Sequence, residues 1–373
     1  MRPAWAEIDL EAIAKNIKTL KQLAQPNTLF MAVVKADAYG HGAVPVSRVA
    51  LKSGADRLGV ALAEEAIELR DQNINAPIHI LSEIPPEDYE ASQVVSRDLI
   101  PTVCQILVAE KLSRAAVQSR KSVKVHIKVD TGMNRLGIPA DPEGAVNFVK
   151  RVRELPNLEV EGIFTHFALA DKPQSDFTDR QFERFQRVTS TLEKNGIKVP
   201  IEHAANSAAI MTKPETHLDM VRAGISIYGL PPSPGLSKIV ELKPALSLKA
   251  KISYLKRVPA GEGVSYGLTY RTNKATLIAT LPIGYADGYS RSLSNKSDVL
   301  VRGKRARVAG TICMDQFMVD VNHIPDVKVA DEVTLIGSQG SQEITADEIA
   351  ALMGTINYEV VCAIGKRVPR VYI

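Results

Sequence analysis

Cysteine is scarce in this 373-residue chain, and the three present, Cys104, Cys313 and Cys362, are odd in number and far apart. That excludes a disulfide framework and a CxxC zinc site. Long hydrophobic runs are missing too. The longest, Leu29 to Val34, falls well short of the ~18–20 residues of a membrane span. The N-terminal segment MRPAWAEIDLEAIAK carries Glu7, Asp9 and Glu11 where a secretory leader needs an uninterrupted apolar core. A cytoplasmic protein is therefore expected. Charge of one sign is also lacking: 46 basic and 42 acidic residues leave +4, no footprint for nucleic acid or an anionic membrane. With 23 Gly and 21 Pro, collagen-like and low-complexity readings fall away. There is no GxGxxG or GxxxxGK[ST], no HExxH, no other tight histidine spacing for a metal and no solenoid repeat.

What is present is ordinary folded sequence, 45% hydrophobic and 24% charged. Its length suits two domains, or a barrel with an appendage. From residue 29 to about 230, short apolar runs rich in β-branched residues alternate with amphipathic helical stretches. The runs are LFMAVVK (29–35), RLGVA (57–61), PIHILS (77–82), DLIPTV (98–103), SVKVHIKVD (122–130), LEVEGIFTH (158–166), PIEHAANS (200–207) and HLDMVRAGISIYG (217–229). Between Phe177 and Asn195, Phe182, Phe185, Val188 and Leu192 recur at helical spacing. Eight buried parallel strands alternating with helices predict a (β/α)8 TIM-type barrel, an α/β fold of roughly 250 residues. An open doubly wound sheet is the alternative.

Ahead of the barrel, Trp5 to Asp9 reads as extended. A helix follows, with Asp9 as N-cap and Ile13, Ile17, Leu20 and Ala24 as its apolar stripe. At 231 the segment PPSPG breaks the pattern. Beyond it the chain is strand-rich: ATLIATL (275–281), FMVDV (317–321) and a turn at Gly303-Lys304, with one helix near Thr345 to Met353. The expected domains are residues 1–240, a barrel, and 241–373, mostly β.

Polar residues cluster at the expected C-terminal strand ends, where barrel enzymes keep their sites. Lys35 ends the first run. A desolvated lysine there can lose its proton and attack an aldehyde, although a lysine snorkelling from a strand end is also common. The fifth run leads into Asp130-Thr131-Gly132-Met133-Asn134-Arg135, the sixth into Thr165-His166, the seventh into Asn206-Ser207 and the eighth into Arg222-Ala223-Gly224-Ile225. Backbone N–H groups at Gly224 and Ile225 suit a phosphate, though glycine there equally serves a plain turn. The Asp-Thr-Gly triplet occurs once, whereas aspartic protease chemistry needs two such carboxylates.

MAVVKADAYGHG resembles the cofactor-lysine segment of the alanine racemase family, which uses pyridoxal 5′-phosphate (PLP). KVDTGMNRLG, THFA, AANSAA, VRAGISIYG, VSYGLTY, PIGYADGYSR, ICMDQ and INYE are similar to that family's other segments and stand in its order. The resemblance spans nearly the whole chain. It implies a PLP-binding barrel followed by a β domain, and interconversion of L- and D-alanine, with D-alanine going to peptidoglycan. Removing the Cα proton leaves a planar carbon with two faces, so a two-base enzyme needs a base on each. By resemblance these are Lys35, which also carries the cofactor, and Tyr266. His166 and Arg222 would favour the Tyr266 phenolate, since a phenol of pKa ~10 is a poor base near neutrality. Arg222 would also face the cofactor's ring nitrogen. A guanidinium donates rather than accepts, so that nitrogen would stay unprotonated.

The resemblance further assigns the cofactor contacts to Tyr39, Asn206, Ser207, Gly224, Ile225 and Tyr358. It gives the substrate carboxylate to Arg135, the Met314 N–H and Asp315. Lys128 matches a lysine that is N-carboxylated in some members, and Tyr285 and Arg291 match the substrate access corridor. Because Tyr266, Tyr285, Arg291 and Met314 all lie beyond residue 240, the family pattern implies a head-to-tail homodimer with composite sites. Many relatives have arginine two residues before the cysteine of ICMDQ; here it is Thr311. No metal is expected. Rival readings are a racemase of serine or a larger amino acid, a PLP-binding barrel protein without racemase activity, and a PLP-dependent decarboxylase on the same plan. A metal-dependent barrel hydrolase is disfavoured by the lack of clustered ligands.

Overall fold

The computed structural model describes residues 3–373. All eight runs form strands of one parallel sheet: Leu29–Val33, Arg57–Val60, Ile78–Glu83, Ile100–Val103, Val123–Asp130, Leu158–Phe164, Ile201–His203 and Met220–Ala223. They pair in chain order, and the eighth strand pairs with the first. Between the seventh and eighth, Asp219 N–H donates to Glu202 O (3.1 Å) and Arg222 N–H to Ala205 O (3.0 Å). The sheet is therefore a nearly closed barrel. The open-sheet alternative fails because a doubly wound sheet has two free edges.

Helices cover the outside of the barrel. In Phe177–Lys194 the expected stripe, Phe182, Phe185, Val188 and Leu192, is buried. Each such side chain contributes about 1.5–3 kcal/mol. The first helix, Leu10–Leu23, starts as the sequence predicts, with Asp9 Oδ1 accepting from Ala12 N–H at 2.8 Å. Ile13, Ile17 and Leu20 are fully buried, but Ala24 falls beyond the helix end.

The chain divides into two compact units whose boundaries differ from a single cut at residue 240. One comprises Ile13–Ala38 and Ala43–Lys243, and contains the barrel. The other takes residues up to Ala12, Tyr39–Gly42 and Pro244–Ile373. The physical reason is strand pairing: Ala4–Ile8 lies antiparallel to Leu246–Lys251 and parallel to Arg370–Tyr372. A five-residue strand carries no mark of its partner, so the sequence alone leaves it with its nearest neighbours.

The second unit is built on β-sheets, with strands at Thr276–Leu281 and Phe317–Asp320 and a helix at Ala346–Met353, as expected. The hairpin Asp298–Val301 to Lys304–Arg307 turns on Arg302 and Gly303, both left-handed (φ 50° and 72°). That is the twist a two-residue hairpin loop requires. A further short helix, Asn357–Cys362, was not apparent from its six residues. Among the described residues no helix is long and apolar enough to cross a membrane.

Candidate active site

Lys35 follows the first barrel strand. The Tyr228 hydroxyl anchors this strand end by donating to Val33 O (2.9 Å), and Val34 N–H donates to Gly59 O (2.7 Å). Immediately after Lys35 the backbone takes a left-handed turn: Ala36, Asp37, Ala38 and Tyr39 have φ of 51°, 52°, 52° and 53°. Four consecutive non-glycine residues in that region cost roughly 1–2 kcal/mol each. The turn is held by Asp37 Oδ1, which accepts from Ala43 N–H (2.7 Å), and by Glu65, whose carboxylate accepts from Ala36 N–H (2.6 Å). Strain of this kind, kept in place by specific bonds, is characteristic of functional segments.

Arg222 is the hub of the barrel rim. It is 4% exposed, and the two N–H bonds of its Nη2 go to Thr165 O (2.8 Å) and Ala204 O (2.9 Å), with a longer, shared donation to His166 Nδ1 (3.3 Å). Its Nη1 donates to His203 Nδ1 (2.9 Å). Burial lowers the guanidinium to about 9. Because His166 Nδ1 accepts from Arg222, its proton sits on Nε2. Burial, with the charges of Arg222, Lys128, Arg135 and Lys35, holds His166 well below the usual imidazole range, so it is neutral. Four cations drawn from the first, fifth and eighth strand ends thus act on one imidazole.

Lys128 is buried inside the fifth strand, its Nζ 5.4 Å from the centre of the Phe164 ring. Burial, then Arg135 and Arg222, lowers its amine to about 8. Arg135 is exposed. Asn206 caps the short helix Ser207–Thr212, its Oδ1 accepting from Ala209 N–H (3.1 Å). Ser207 Oγ accepts from Gly224 N–H at 2.8 Å. The first turns of two short helices, Ser207–Thr212 and Ile225–Tyr228, therefore meet end to end, and such ends leave N–H groups without intrahelical acceptors.

The second unit carries the remaining candidates. Tyr39 and Tyr358 lie side by side, ring centres 6.1 Å apart. Tyr266 is 72% exposed on a turn where Ser265 and Leu268 both have positive φ (66° and 49°). Thr311 stands where many relatives have arginine. It is buried, and its hydroxyl donates to Tyr266 O (2.8 Å), while Ser265 Oγ donates to Thr311 O (2.5 Å). Thr311 therefore pins the Tyr266 turn. The turn carrying Tyr285 is bonded to the one carrying Met314, through Tyr285 N–H to Cys313 O (3.1 Å) and Ala286 N–H to Met314 O (3.0 Å). Met314 and Tyr285 are exposed, as is Arg291, and Asp315 is paired with Arg367 Nη2 at 2.5 Å.

Three histidines went unrecognised in the sequence. His79, His126 and His203, from the third, fifth and seventh strands, present ring nitrogens within 4.8 Å of one another inside the barrel. Alternate strands supply one interior layer of a barrel, so a search for short-range metal spacing could not find them. Both ring nitrogens of His126 and of His203 are engaged in hydrogen bonds, which leaves neither with a lone pair for a metal.

A parallel barrel with a lysine, a neutral histidine and a buried arginine at its strand ends, on a chain with a β-rich second unit, is the class of barrel-fold PLP enzymes. Residues 8–232 match the alanine racemase N-terminal domain and residues 245–372 the alanine racemase C-terminal domain. The chain is 51% identical over 371 residues to the alanine racemase of Halothermothrix orenii, covering all of this chain and 97% of that one. Among solved structures, Clostridium difficile alanine racemase superposes with a TM-score of 0.95 at 42% identity, over 100% of this chain and 96% of that chain. The Bacillus anthracis alanine racemase with bound L-Ala-P gives 0.94 at 41% identity, over 100% and 95%. The chain belongs to the alanine racemase family. It is a PLP-dependent racemase of alanine, an isomerase.

The residues present fit that cofactor. The contacts of Arg222 occupy both N–H bonds of Nη2 and one of Nη1, which leaves Nε–H and the second Nη1 N–H as donors for a ring nitrogen. Ser207 Oγ, having accepted from Gly224, keeps its own O–H to give. With the N–H groups of the Ile225 turn, this is a donor set suited to a phosphate dianion.

Proposed function

We propose that the enzyme racemises alanine with two bases, Lys35 on one face of the substrate Cα and Tyr266 on the other, in a head-to-tail homodimer where each site uses the Tyr266 of a second copy. The observation that carries this reading is the bond from Arg222 Nη2 to His166 Nδ1 at 3.3 Å. It sets His166 Nε2–H as a donor at the rim, ready for a phenolate oxygen. The 72% exposure of Tyr266 on a pinned turn supports its presentation to a partner.

When bound, PLP supplies an aldehyde for covalent attachment and a ring that accepts electron density from the substrate Cα. Lys35 Nζ would hold the cofactor and serve as the base that removes or returns the Cα proton on its face. Tyr266 Oη does the same on the opposite face, its phenolate stabilised by His166. Arg222 would donate to the ring nitrogen and, being unable to accept, keep it unprotonated, which limits wrong-carbon reprotonation and hence transamination. Ser207 O–H and the Ile225 turn, with the Tyr39 and Tyr358 hydroxyls, would hold the phosphate. Gly224, expected to give its amide to that phosphate, instead spends it on Ser207 Oγ and so aims the hydroxyl, and Asn206 caps the helix that carries Ser207. Arg135, the Met314 N–H and Asp315 orient the substrate carboxylate, and Tyr285 and Arg291 line the approach. The product D-alanine serves peptidoglycan, made from the cytoplasmic side.

Lys128 extends the proposal. A buried amine at about 8 is about a tenth neutral at pH 7, against less than roughly a thousandth for an ordinary lysine. Only the neutral amine reacts with carbon dioxide, so modification is favoured as pH rises through 8. A carbamate there would be an anion between Arg135 and Arg222, in place of a cation repelling both. Native intact mass at pH 8 in bicarbonate should show one added carboxyl per chain that is lost in Lys128→Ala. A bare amine under those conditions refutes the modification.

The reading as a whole is tested by exchange of the alanine Cα proton in heavy water, with serine and lysine as competing substrates. Fast deuterium uptake by both alanine enantiomers is expected. Uptake faster with serine or lysine would reassign the substrate, and no uptake at all would remove racemase activity.

A further inference from the structure

A buried charge is costly unless it is compensated, and none of the partners of Arg222 described above is a carboxylate. From Arg222 a chain of hydrogen bonds runs across the barrel interior. His203 Nδ1 accepts from Arg222 Nη1 (2.9 Å), His203 Nε2 meets His126 Nδ1 (2.8 Å), and His126 Nε2 meets Glu161 Oε2 (3.0 Å). Donor chemistry gives the chain one direction. Arg222 can only donate, so His203 carries its proton on Nε2 and passes it toward His126. His126 then carries its own on Nε2, toward the carboxylate. Both rings are neutral, as burial alone would favour.

The backbone is shaped for this path. Between the fifth and sixth strands the register shifts: Val125 faces Val160, but His126 faces Gly162, leaving Glu161 as the extra residue of a bulge. Bulges re-aim side chains. At Gly162 any Cβ would collide with the His126 ring, so glycine makes the space the ring occupies. Glu161 is itself clamped by Arg57, through both Nη atoms, and by Lys124 Nζ (2.9 Å). Burial raises its carboxyl, but the bonds from His126, Arg57 and Lys124 outweigh this and hold it well below the usual range.

We propose that Glu161, acting through His126 and His203, is a positioning residue for Arg222: the relay supplies the remote counter-charge that keeps the guanidinium cationic and fixes its orientation toward the cofactor ring nitrogen. This rests on the role given to Arg222 above. The relay makes donation to the ring nitrogen permanent over the working pH range, so Glu161 contributes to choosing racemisation over transamination. The charged and titratable groups facing the relay are Arg57, His79, Lys124, Lys128 and His166, besides Arg222 itself. None of these is acidic, so among the described groups Glu161 is the carboxylate at the relay.

The test uses the PLP-loaded, full-length enzyme. In the native protein, nitrogen-15 NMR of labelled histidine should show His126 and His203 neutral and protonated on Nε2. Glu161→Gln keeps the shape and removes the charge. It should move the alkaline limb of kcat/KM down by about one pH unit and raise the ratio of transamination to racemisation several-fold. Gly162→Ala displaces the ring with the charge intact and should move both readouts the same way. An unmoved pH limb and partition in a folded Glu161→Gln enzyme would reduce the network to a structural one. A native His203 protonated on Nδ1, or charged, overturns the relay even if neither variant folds. The NMR result does not depend on turnover, so a failed racemase reading and a failed relay are told apart.

Discussion

Lys35→Ala is expected to lower racemisation by at least about 10⁴-fold and to abolish covalent attachment of PLP. The variant loses both the group that carries the cofactor and one of the two bases. In the native enzyme, borohydride should fix the cofactor to Lys35, and peptide mapping reads the position. A label on another lysine would move the site. Global unfolding is not the expected cause of inactivity. Lys35 is only half-buried, and the left-handed turn after it is held by Asp37 and Glu65 rather than by the lysine. A near-native thermal midpoint for the variant checks this.

Tyr266→Phe should show the second-largest effect, a loss of about 10²–10⁴-fold in racemisation with PLP still bound. The hydroxyl is the only group removed, and the ring, 72% exposed, packs little against its own chain. Exchange into heavy water sharpens the outcome: L-alanine should stop exchanging while D-alanine, served by Lys35, continues. Equal loss for both enantiomers would argue against separate faces, and full activity would remove the two-base scheme. Thr311 and Ser265 hold the turn through bonds that do not involve the phenol, so the substituted ring keeps its place.

Much of the fold was legible because its signals are local. A β-branched run bounded by turn residues forms a strand whatever its partners, and the stripe Phe182, Phe185, Val188 and Leu192 follows from 3.6 residues per turn. Asp9 caps a helix through a bond three residues away. The Arg302-Gly303 hairpin depends on two left-handed residues in sequence. Motif order extended this reach to Lys35, His166 and Arg222.

Other features were set by distance along the chain. The partner of Ala4–Ile8 lies more than 200 residues away, and nothing within five residues encodes that. Thr311 read only as a departure from the arginine of many relatives, because sequence reports its identity but not that its hydroxyl reaches Tyr266 O.

By itself, then, the sequence determined the alternation of strand and helix, the change to β structure after residue 231, and the chemistry available at each strand end. Local sterics and short motifs suffice for those. Only the tertiary structure decided which nitrogen of His166 carries the proton, and that Arg222 reaches a carboxylate through two imidazoles. His126 and His203 are 77 positions apart, and Arg57 and Glu161 are 104 apart. Such groups meet only when a closing barrel turns alternate strands inward, and hydrogen-bond direction has no meaning until donor and acceptor meet.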